Sequence, residues 1–208
     1  MSTSDNELRI AIPKGFLHEG SYKYLLSQGI NFEMDNLRDL VFYDKKNNVK
    51  GLLVRPNDVS VYVEHGSADL GIVGSDLLME QVPDVIKLKD LNFGKCKLVV
   101  AVQKDSLCKK SEDLPPNAKI ATKFIKLAND YIHKKGFSAE IIKLYGSIEL
   151  APILGLSDAI IDLVATGKTL RANNLIAIET ILQSSAMLIA NSVSFKFKKS
   201  RICSIISD

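Results

Sequence analysis

The chain has 208 residues, which at a typical ~150 residues per domain corresponds to one large domain or two small ones. Its 46% hydrophobic and 25% charged residues exclude intrinsic disorder, because such a chain can bury enough apolar surface to offset its ordering entropy. The net charge of +3, from 27 basic and 24 acidic residues, is too small for a dedicated nucleic-acid binder and remains compatible with anionic small molecules as ligands.

Cysteine usage and the N-terminal segment indicate a cellular compartment. Cys96, Cys108 and Cys203 are widely spaced and form no CxxC pair, which argues against a disulfide framework or a metal site. Residues 1–7 lack the basic and apolar regions of a signal peptide, and apolar stretches such as Leu98–Val102 are too short to cross a membrane. We therefore expect a soluble cytoplasmic protein with no metal-ligating residues and no membrane or nucleic-acid partner.

The first half of the chain alternates strand-like and helix-like segments. A β-rich run at Leu8–Ile12 is followed by an amphipathic segment, Phe16–Gln28, that Gly29 ends. The same pattern returns at Gly51–Val54, Val59–His65 and Asp69–Val73. This alternation is typical of an α/β fold.

The second half repeats the alternation after a mixed stretch near residues 90–94. The predicted elements are Lys97–Val102, Lys119–Thr122, a helix ending at Gly136, Glu140–Leu144, a short helix through Glu149, and Ala159–Leu163. The alternating apolar and basic tail, Phe195–Lys199, predicts an edge strand protected by lysines. The pattern as a whole predicts two wound α/β units.

One segment combines acidic residues with a loop rich in hydroxyl groups. A buried strand bearing Asp158 and Asp162 leads into the turn formed by Thr166, Gly167, Lys168 and Thr169. Such a turn can direct backbone N–H groups and hydroxyls at one phosphate, since glycine permits a positive φ and close approach. A carboxylate at the end of the strand can accept hydrogen bonds from sugar hydroxyls. The combination resembles a phosphoribosyl-pyrophosphate loop, and an ordinary tight turn remains the alternative.

Two cations follow predicted strands. Lys14 lies in a Pro-Lys-Gly turn after the first strand, and Arg55 follows Gly51–Val54, where Asn57 or Asp58 can cap the next helix. In an α/β sheet, ligands bind beyond the carboxyl ends of the strands, and an arginine offers a planar fork to phosphate oxygens. The alternatives are a solvated turn lysine and a surface ion pair.

Longer segments of the chain, in order, resemble a known family. They are Pro13–Gly15, Arg55–Val59, Tyr62–Asp76, Phe93–Cys96, Ala121–Lys123, Gly146–Pro152 and Thr166–Asn173. These resemble the catalytic subunit of ATP phosphoribosyltransferase, the first enzyme of histidine biosynthesis. The chain departs from the family pattern at Phe16, where arginine is common, and at Ile125, where proline is common.

The resemblance implies a fold and an assembly. The family's fold is a two-lobed, type II periplasmic-binding-protein-like α/β fold with a central cleft and the second lobe inserted in the first. We expect the first lobe at 1–91 and 180–208, and the inserted lobe at 92–179. The chain ends without the regulatory domain of the long form, so it resembles the short form. That form implies a homodimer and a hetero-oligomer with a regulatory subunit resembling histidyl-tRNA synthetase.

The resemblance also implies a reaction, in which ATP and 5-phosphoribosyl 1-pyrophosphate condense to 1-(5-phosphoribosyl)-ATP and pyrophosphate with Mg²⁺ as cofactor. We expect Arg55 and Lys14 to act in catalysis. The residues expected to bind phosphoribosyl pyrophosphate are Asp158, Asp162, Thr166, Gly167, Lys168 and Thr169, and those expected to bind the nucleotide are Gly74, Gly146, Ser147 and Arg38.

Two other functions stay open on the residues alone. A non-catalytic ligand-binding module would share the two lobes but would not explain a Thr-Gly-Lys-Thr turn after an acidic strand. A phosphoribosyltransferase acting on a free base would share that turn but not the other ordered segments.

Overall fold

The computed structural model describes residues 7–33 and 39–206, and it contains eleven strands and eight helices within these ranges. The strands are β1 (Leu8–Pro13), β2 (Val41–Asp44), β3 (Val49–Val54), β4 (Leu70–Gly74), β5 (Ile86–Asp90), β6 (Cys96–Gln103), β7 (Ala118–Thr122), β8 (Ala139–Lys143), β9 (Ala159–Val164), β10 (Leu175–Ser184) and β11 (Ala186–Ala190). The helices are α1 (His18–Ser27), α2 (Val59–Glu64), α3 (Ser75–Gln81), α4 (Ile125–Lys135), α5 (Leu150–Ile153), α6 (Lys168–Ala172), α7 (Ser192–Phe197) and α8 (Lys199–Ile206). The predicted α/β class is confirmed.

The chain divides into two compact units. Unit 1 comprises Met1–Leu78, Val82–Gly94 and Ser185–Asp208, and unit 2 comprises Met79–Gln81 and Lys95–Ser184. The sequence placed the inserted segment at 92–179, which would end it inside β10. That strand instead stays paired with β6 as far as Ser184, opposite Cys96, so the unit ends where β10 gives way to β11.

Unit 1 is built on a six-stranded sheet in the order β2-β3-β1-β4-β11-β5. Strands β1, β3 and β4 are parallel, whereas β2 and β11 run antiparallel to their neighbours. Ile10, Ile72 and Leu188 are fully buried in its core, and each such side chain contributes about 1.5–3 kcal/mol by leaving water. The carboxyl ends of the three parallel strands therefore lie at one edge of the sheet.

Unit 2 is built on a five-stranded sheet in the order β10-β6-β9-β7-β8. Strands β9, β7 and β8 are parallel, and β6 runs antiparallel to both β9 and β10. Its core includes Val99, Ala121 and Ile160, one from each of the three central strands. The parallel strands again deliver three loops to one edge, here called the carboxyl edge of unit 2.

The predicted edge strand at Phe195–Lys199 is wrong, because α7 and α8 cover this segment. In a strand, Phe195 and Phe197 would share a face; in the helix they diverge, so that Phe195 packs on the core while Phe197 is 79% exposed. The side chain of Asn191 begins α7 by accepting a hydrogen bond from the Ser194 N–H at 2.9 Å. Within residues 7–33 and 39–206, no helix is long and apolar enough to span a membrane.

Candidate functional site

The carboxyl edge of unit 2 brings together most of the residues that the sequence assigns to the phosphoribosyl substrate. Thr122 at the end of β7 pairs with Ile161 of β9 and with Lys143 of β8. The loops that follow these strands therefore emerge side by side. Asp162 lies on β9 at this edge, Thr166–Lys168 follow β9, and Gly146 and Ser147 follow β8.

Asp162 is the partly buried acid of this edge. Its side chain is 17% exposed, and its Oδ1 atom has no hydrogen-bond partner within the described part of the chain. Lys123 Nζ lies 3.9 Å from that oxygen, close enough for an ion pair but too far for a hydrogen bond. Burial raises the pKa of the Asp162 carboxyl, and the positive charge of Lys123 opposes the rise. A ligand hydroxyl would supply the missing donor.

The turn after β9 has the geometry expected of a phosphate loop. Gly167 has φ +72°, a conformation that L side chains rarely adopt, and a Cβ atom there would lie 2.8 Å from Nη1 of Arg171. The Arg171 guanidinium fixes the turn by donating to the carbonyl oxygen of Thr166 at 3.1 Å. Thr166, Lys168 and Thr169 are exposed, so their hydroxyls and ammonium group can meet an anion.

Asp158, which the sequence grouped with Asp162, lies at the opposite edge of the same sheet. It precedes β9, is exposed, and its Oδ2 accepts a hydrogen bond from the Lys119 N–H at 2.8 Å. The six residues of β9 separate it from the Thr166 turn by roughly 20 Å. Asp162 is the fourth residue of β9, so the extended strand places it roughly 13 Å from Asp158, and the structure does not bring the two acids together.

In unit 1, Lys14 and Arg55 are neighbours at the carboxyl ends of β1 and β3. Pro13 pairs with Val54 in the parallel register, and the Lys14 N–H donates to the Val54 carbonyl oxygen at 2.9 Å. Both cationic side chains are exposed. The sequence offered Asn57 or Asp58 as the cap of α2. A short 3₁₀ turn, Pro56–Asp58, precedes the helix, and the Asp58 side chain makes no capping hydrogen bond to the described residues, so the Asp58 alternative is wrong.

Gly74 ends β4 at the same edge of unit 1. It is buried, and a Cβ atom there would lie 2.3 Å from Oδ1 of Asp76, so any larger residue at this position would displace the buried Asp76 carboxyl group. The adjacent Ser75 N–H donates to the Ser185 carbonyl oxygen at 2.9 Å, which ties the start of α3 to the segment before β11. The neighbouring strands thus place Gly74 at the edge that carries Lys14 and Arg55.

The remaining candidates have simpler surroundings. Gly146 and Ser147 are exposed in the loop after β8, and Ser147 has a left-handed backbone with φ +50°. The Ser147 carbonyl oxygen accepts a hydrogen bond from the Leu150 N–H at 3.1 Å, which begins α5. Arg38, predicted to contact the nucleotide, lies outside the described residues.

Sequence reasoning missed the ion pair of Lys123 with Asp162. The two residues lie on different strands, and only the register that pairs Thr122 with Ile161 makes them neighbours. A surface cavity of about 710 Å³ lies elsewhere in unit 2, lined by Gln103, Lys104 and Asn174 among others. It is at the amino ends of the parallel strands, since Gln103 pairs with the first residue of β10.

Comparisons with known proteins identify the family. The family described as HisG, ATP phosphoribosyltransferase, matches residues 55–208. An ATP phosphoribosyltransferase of Crocosphaera subtropica is 48% identical over 192 residues, covering 91% of this chain and 90% of that protein. Another, from Thermoanaerobacter sp., is 48% identical over 201 residues, covering 96% and 92%.

Solved structures of similar fold include a member of the same family and a periplasmic binding protein. The ATP phosphoribosyl transferase (HisG:HisZ) complex from Thermotoga maritima contains a chain with a TM-score of 0.81 and 36% identity, covering 96% of this chain and 94% of that one. The periplasmic aliphatic sulphonate binding protein SsuA from Escherichia coli has a TM-score of 0.67 at 16% identity, covering 97% of this chain and 70% of that one. The second likeness concerns the fold alone, and it supports the type II periplasmic-binding-protein-like class.

Proposed function

Since the chain belongs to the ATP phosphoribosyltransferase family, we propose that the carboxyl edge of unit 2 binds the phosphoribosyl group in that family's reaction. The chain is a pentosyltransferase that condenses ATP with 5-phosphoribosyl 1-pyrophosphate, giving 1-(5-phosphoribosyl)-ATP and pyrophosphate in the first step of histidine biosynthesis. One observation carries the assignment of the site: the buried Oδ1 of Asp162 lacks a hydrogen-bond partner among the described residues, and Asp162 lies on the strand that leads into the Thr166–Thr169 turn.

The reaction requires that the two substrates are positioned and that the charge on the leaving pyrophosphate is stabilised. Nitrogen 1 of adenine carries a lone pair and no proton, so its attack on the anomeric carbon requires no protein base. The bond from that carbon to pyrophosphate breaks, and negative charge gathers on the departing oxygens. Residues that orient the two substrates and residues that face the leaving group therefore supply the catalysis.

The phosphoribosyl group is held by unit 2. The exposed hydroxyls of Thr166 and Thr169 and the ammonium of Lys168 bind the 5′-phosphate, and Gly167 lets the backbone approach it. The Asp162 carboxylate accepts a hydrogen bond from a ribose hydroxyl. Asp158 has no part in this proposal, because it lies at the other edge of the sheet.

Lys14 and Arg55 are the proposed ligands of the pyrophosphate. They are adjacent and exposed at the ends of β1 and β3, and they offer a point charge and a planar fork to phosphate oxygens. Gly74, Gly146 and Ser147 are proposed to contact the nucleotide; this assignment rests on the family resemblance of the segments that contain them.

Mg²⁺ fits this site as part of the substrate. The ion takes oxygen ligands and is commonly held by one or two carboxylates together with substrate phosphates. Phosphate oxygens of the substrate would supply these ligands, because Asp162 is assigned to the ribose hydroxyl, and no three His, Cys, Asp or Glu side chains of the described residues cluster to form a cage. Bound to pyrophosphate, the metal would neutralise charge on the leaving group.

We also propose an assembly. The similar chain from Thermotoga maritima is part of a HisG:HisZ complex, which supports a hetero-oligomer with a regulatory subunit resembling histidyl-tRNA synthetase. A homodimer of this chain and a cytoplasmic location complete the proposal.

A direct assay tests the assignment. The protein is mixed with ATP, phosphoribosyl pyrophosphate and Mg²⁺, product formation is followed by ultraviolet absorbance, and the product is identified by mass spectrometry. We expect Asp162→Asn to raise the KM for phosphoribosyl pyrophosphate, whereas Lys119→Met, which removes an exposed charge at the other end of β7, leaves it unchanged. Substrate binding without turnover would contradict the transferase and favour a ligand-binding module.

A further inference from the structure

Lys123 occupies a position that the sheet register fixes. Thr122, the last residue of β7, pairs with Ile161 of β9, so the next residues along the two strands, Lys123 and Asp162, lie side by side. The Thr122 hydroxyl locks this turn: it donates to the Ile161 carbonyl oxygen at 2.7 Å and accepts from the Phe124 N–H at 3.0 Å. The backbone at Lys123 is therefore held against β9.

The side chain of Lys123 is also directed. Its Nζ lies 5.0 Å from the centroid of the Phe124 ring, and that ring is 1% exposed. A cation over the face of an aromatic ring is attracted by the ring's quadrupole, which keeps the ammonium near the protein surface instead of extended into solvent. From there it lies 3.9 Å from Oδ1 of Asp162.

Asp162 needs a nearby cation because its surroundings oppose its charge. Burial raises the pKa of its carboxyl, and the carboxylate of Glu149 raises it further. The charge of Lys123 lowers the pKa most, and a hydrogen bond from the Leu163 N–H lowers it as well. The residue opposite Asp162 on β6 is the apolar Val99. An ionised carboxylate only accepts hydrogen bonds, whereas the protonated form would present an O–H group of its own to a hydroxyl ligand.

The geometry points to Lys123 as a positioning residue of the ribose subsite, holding the Asp162 carboxylate charged so that its unpartnered oxygen accepts a hydrogen bond from a hydroxyl of the phosphoribosyl substrate. This inference rests on the proposed function, because it presumes that Asp162 meets the ribose. Lys123 itself does not touch the substrate. The distance of 3.9 Å leaves Oδ1 free of a direct hydrogen bond from the ammonium, so the lysine supplies charge without occupying the acceptor.

The pH dependence of the KM for phosphoribosyl pyrophosphate tests the inference. We compare the wild-type protein, Lys123→Met, Lys123→Arg and the control Lys119→Met between pH 5.5 and pH 9. In the wild type, the KM rises on the acid side as Asp162 becomes protonated. In Lys123→Met we expect this rise to begin about one pH unit higher, giving up to a tenfold larger KM there and a wild-type KM at pH 9. Lys123→Arg should restore the wild-type profile.

Each other outcome has a definite meaning. A KM that stays raised at pH 9 in Lys123→Met would show direct contact of Lys123 with the substrate and would overturn the inference. A wild-type profile in Lys123→Met would overturn it as well. Asp162→Asn separates this failure from that of the proposed function: if that variant has an unchanged KM, Asp162 does not bind ribose, whatever Lys123 does.

A second measurement tests the inference if Lys123→Met folds poorly. Carbon-13 NMR of protein labelled at the aspartate side-chain carboxyl gives the Asp162 titration directly, with Asp162→Asn assigning the signal. We expect Lys123→Gln to move the Asp162 midpoint upward by about one pH unit. An unmoved midpoint in a folded variant would overturn the inference.

Discussion

Lys198 and Asp69 form an ion pair, with Nζ 3.0 Å from Oδ1, although 129 residues separate them in sequence. The Asp69 side chain is 1% exposed and accepts two further hydrogen bonds, from the Arg9 N–H at 2.8 Å and from the Ser194 hydroxyl at 2.6 Å. One buried carboxylate thus joins β1, the turn before β4, and the C-terminal helices α7 and α8. Together with the buried side chain of Ile202, this carboxylate holds the last part of the chain on unit 1.

This arrangement predicts an acid-sensitive contribution to stability. Although burial opposes it, hydrogen bonds from Ser194, the Arg9 N–H and Lys198 lower the pKa of Asp69. A lowered pKa means that the contribution is complete above the unfolded-state value of about 3.9 and is lost as the pH falls through the lower folded-state value. We expect Asp69→Asn to reduce the free energy of unfolding by about 3 kcal/mol at pH 7. Urea denaturation at pH 7 and at pH 3 measures the free energy of unfolding of the wild type and of the variant.

The control is Asp84→Asn, which removes an exposed carboxyl from the same unit. It should change the unfolding free energy little at either pH. The difference between wild type and Asp69→Asn should shrink at the lower pH, because at pH 3 the unfolded wild type binds a proton at this carboxyl more readily than the folded protein does. A difference that grows toward acid would contradict the lowered pKa.

Gly167→Ala tests the phosphate turn against a matched glycine. Gly167 and Gly155 have φ +72° and +70°, but only at Gly167 would a new Cβ atom approach a side chain within 3 Å, that of Arg171. Both substitutions carry a similar backbone strain of about 1 kcal/mol. We expect Gly167→Ala to raise the KM for phosphoribosyl pyrophosphate by about tenfold, because a shift of the turn removes one phosphate contact. Steady-state kinetics should show Gly155→Ala near wild type; equal KM values in the two variants would refute the turn's role.

A polar network in unit 2 predicts a second stability effect. The Glu179 carboxylate forms an ion pair with Lys135 Nζ at 2.5 Å and accepts a hydrogen bond from the Ser111 hydroxyl at 2.7 Å. The Ser111 hydroxyl also shares a hydrogen bond with the hydroxyl of Tyr131. Burial, which opposes the charge, is outweighed by these hydrogen bonds, so the pKa of Glu179 falls to about 2, while burial raises the pKa of Tyr131 to about 12. The network joins the loop before β7 to α4 and β10.

We expect Glu179→Gln to lower the free energy of unfolding by about 1–3 kcal/mol at neutral pH, because it removes the charge that Lys135 and Ser111 face. The Glu179 contribution is complete above the unfolded-state pKa of about 4.3 and is lost as the pH approaches about 2. Denaturation at pH 7 and pH 2.5 should therefore show a smaller difference between variant and wild type in acid. Glu140→Gln, at an exposed position of β8, is the control.

The fold could be predicted largely because its central elements carry strong local patterns. The apolar run before Pro13 and the run from Ala159 read as buried strands, and they are β1 and β9. Gly136 ends α4 in the left-handed conformation that its sequence position predicts. The short helix predicted through Glu149 is displaced along the chain: α5 begins at Leu150, and Glu149 only precedes its first turn.

Features that depend on pairing could not be predicted from one sequence. The contact of Lys123 with Asp162 exists because of a strand register, and register is set by the whole sheet. The separation of Asp158 from the Thr166 turn follows from the length of β9. In the sequence the two lie close together, and this closeness suggested a single site. The prediction of an edge strand in the tail failed for another reason: the five residues Phe195–Lys199 are too few to distinguish a hydrophobic period of 2 residues from one of 3.6 residues.

Arg55 supplies the last prediction, which concerns the chemical step. Its guanidinium is exposed beside Lys14 at the carboxyl ends of β3 and β1, and its backbone is held by the turn in which the Asp58 N–H donates to the Arg55 carbonyl oxygen at 2.9 Å. Pyrophosphate gains negative charge only as its bond to the anomeric carbon breaks. A cationic fork facing it therefore stabilises the transition state more than the bound substrates.

We expect Arg55→Ala to lower kcat by about tenfold to a thousandfold, the range for losing one charge-stabilising donor, with a smaller change in the KM for ATP. Single-turnover kinetics should be used, since slow product release would mask a defect in the chemical step. Arg55→Lys keeps the charge but loses the fork, so its rate should fall between those of wild type and Arg55→Ala. A group that faces the leaving pyrophosphate cannot be removed without slowing its departure. If Arg55→Ala keeps the wild-type rate of the chemical step and shows only a lower melting temperature, Arg55 is therefore a structural residue of the turn after β3.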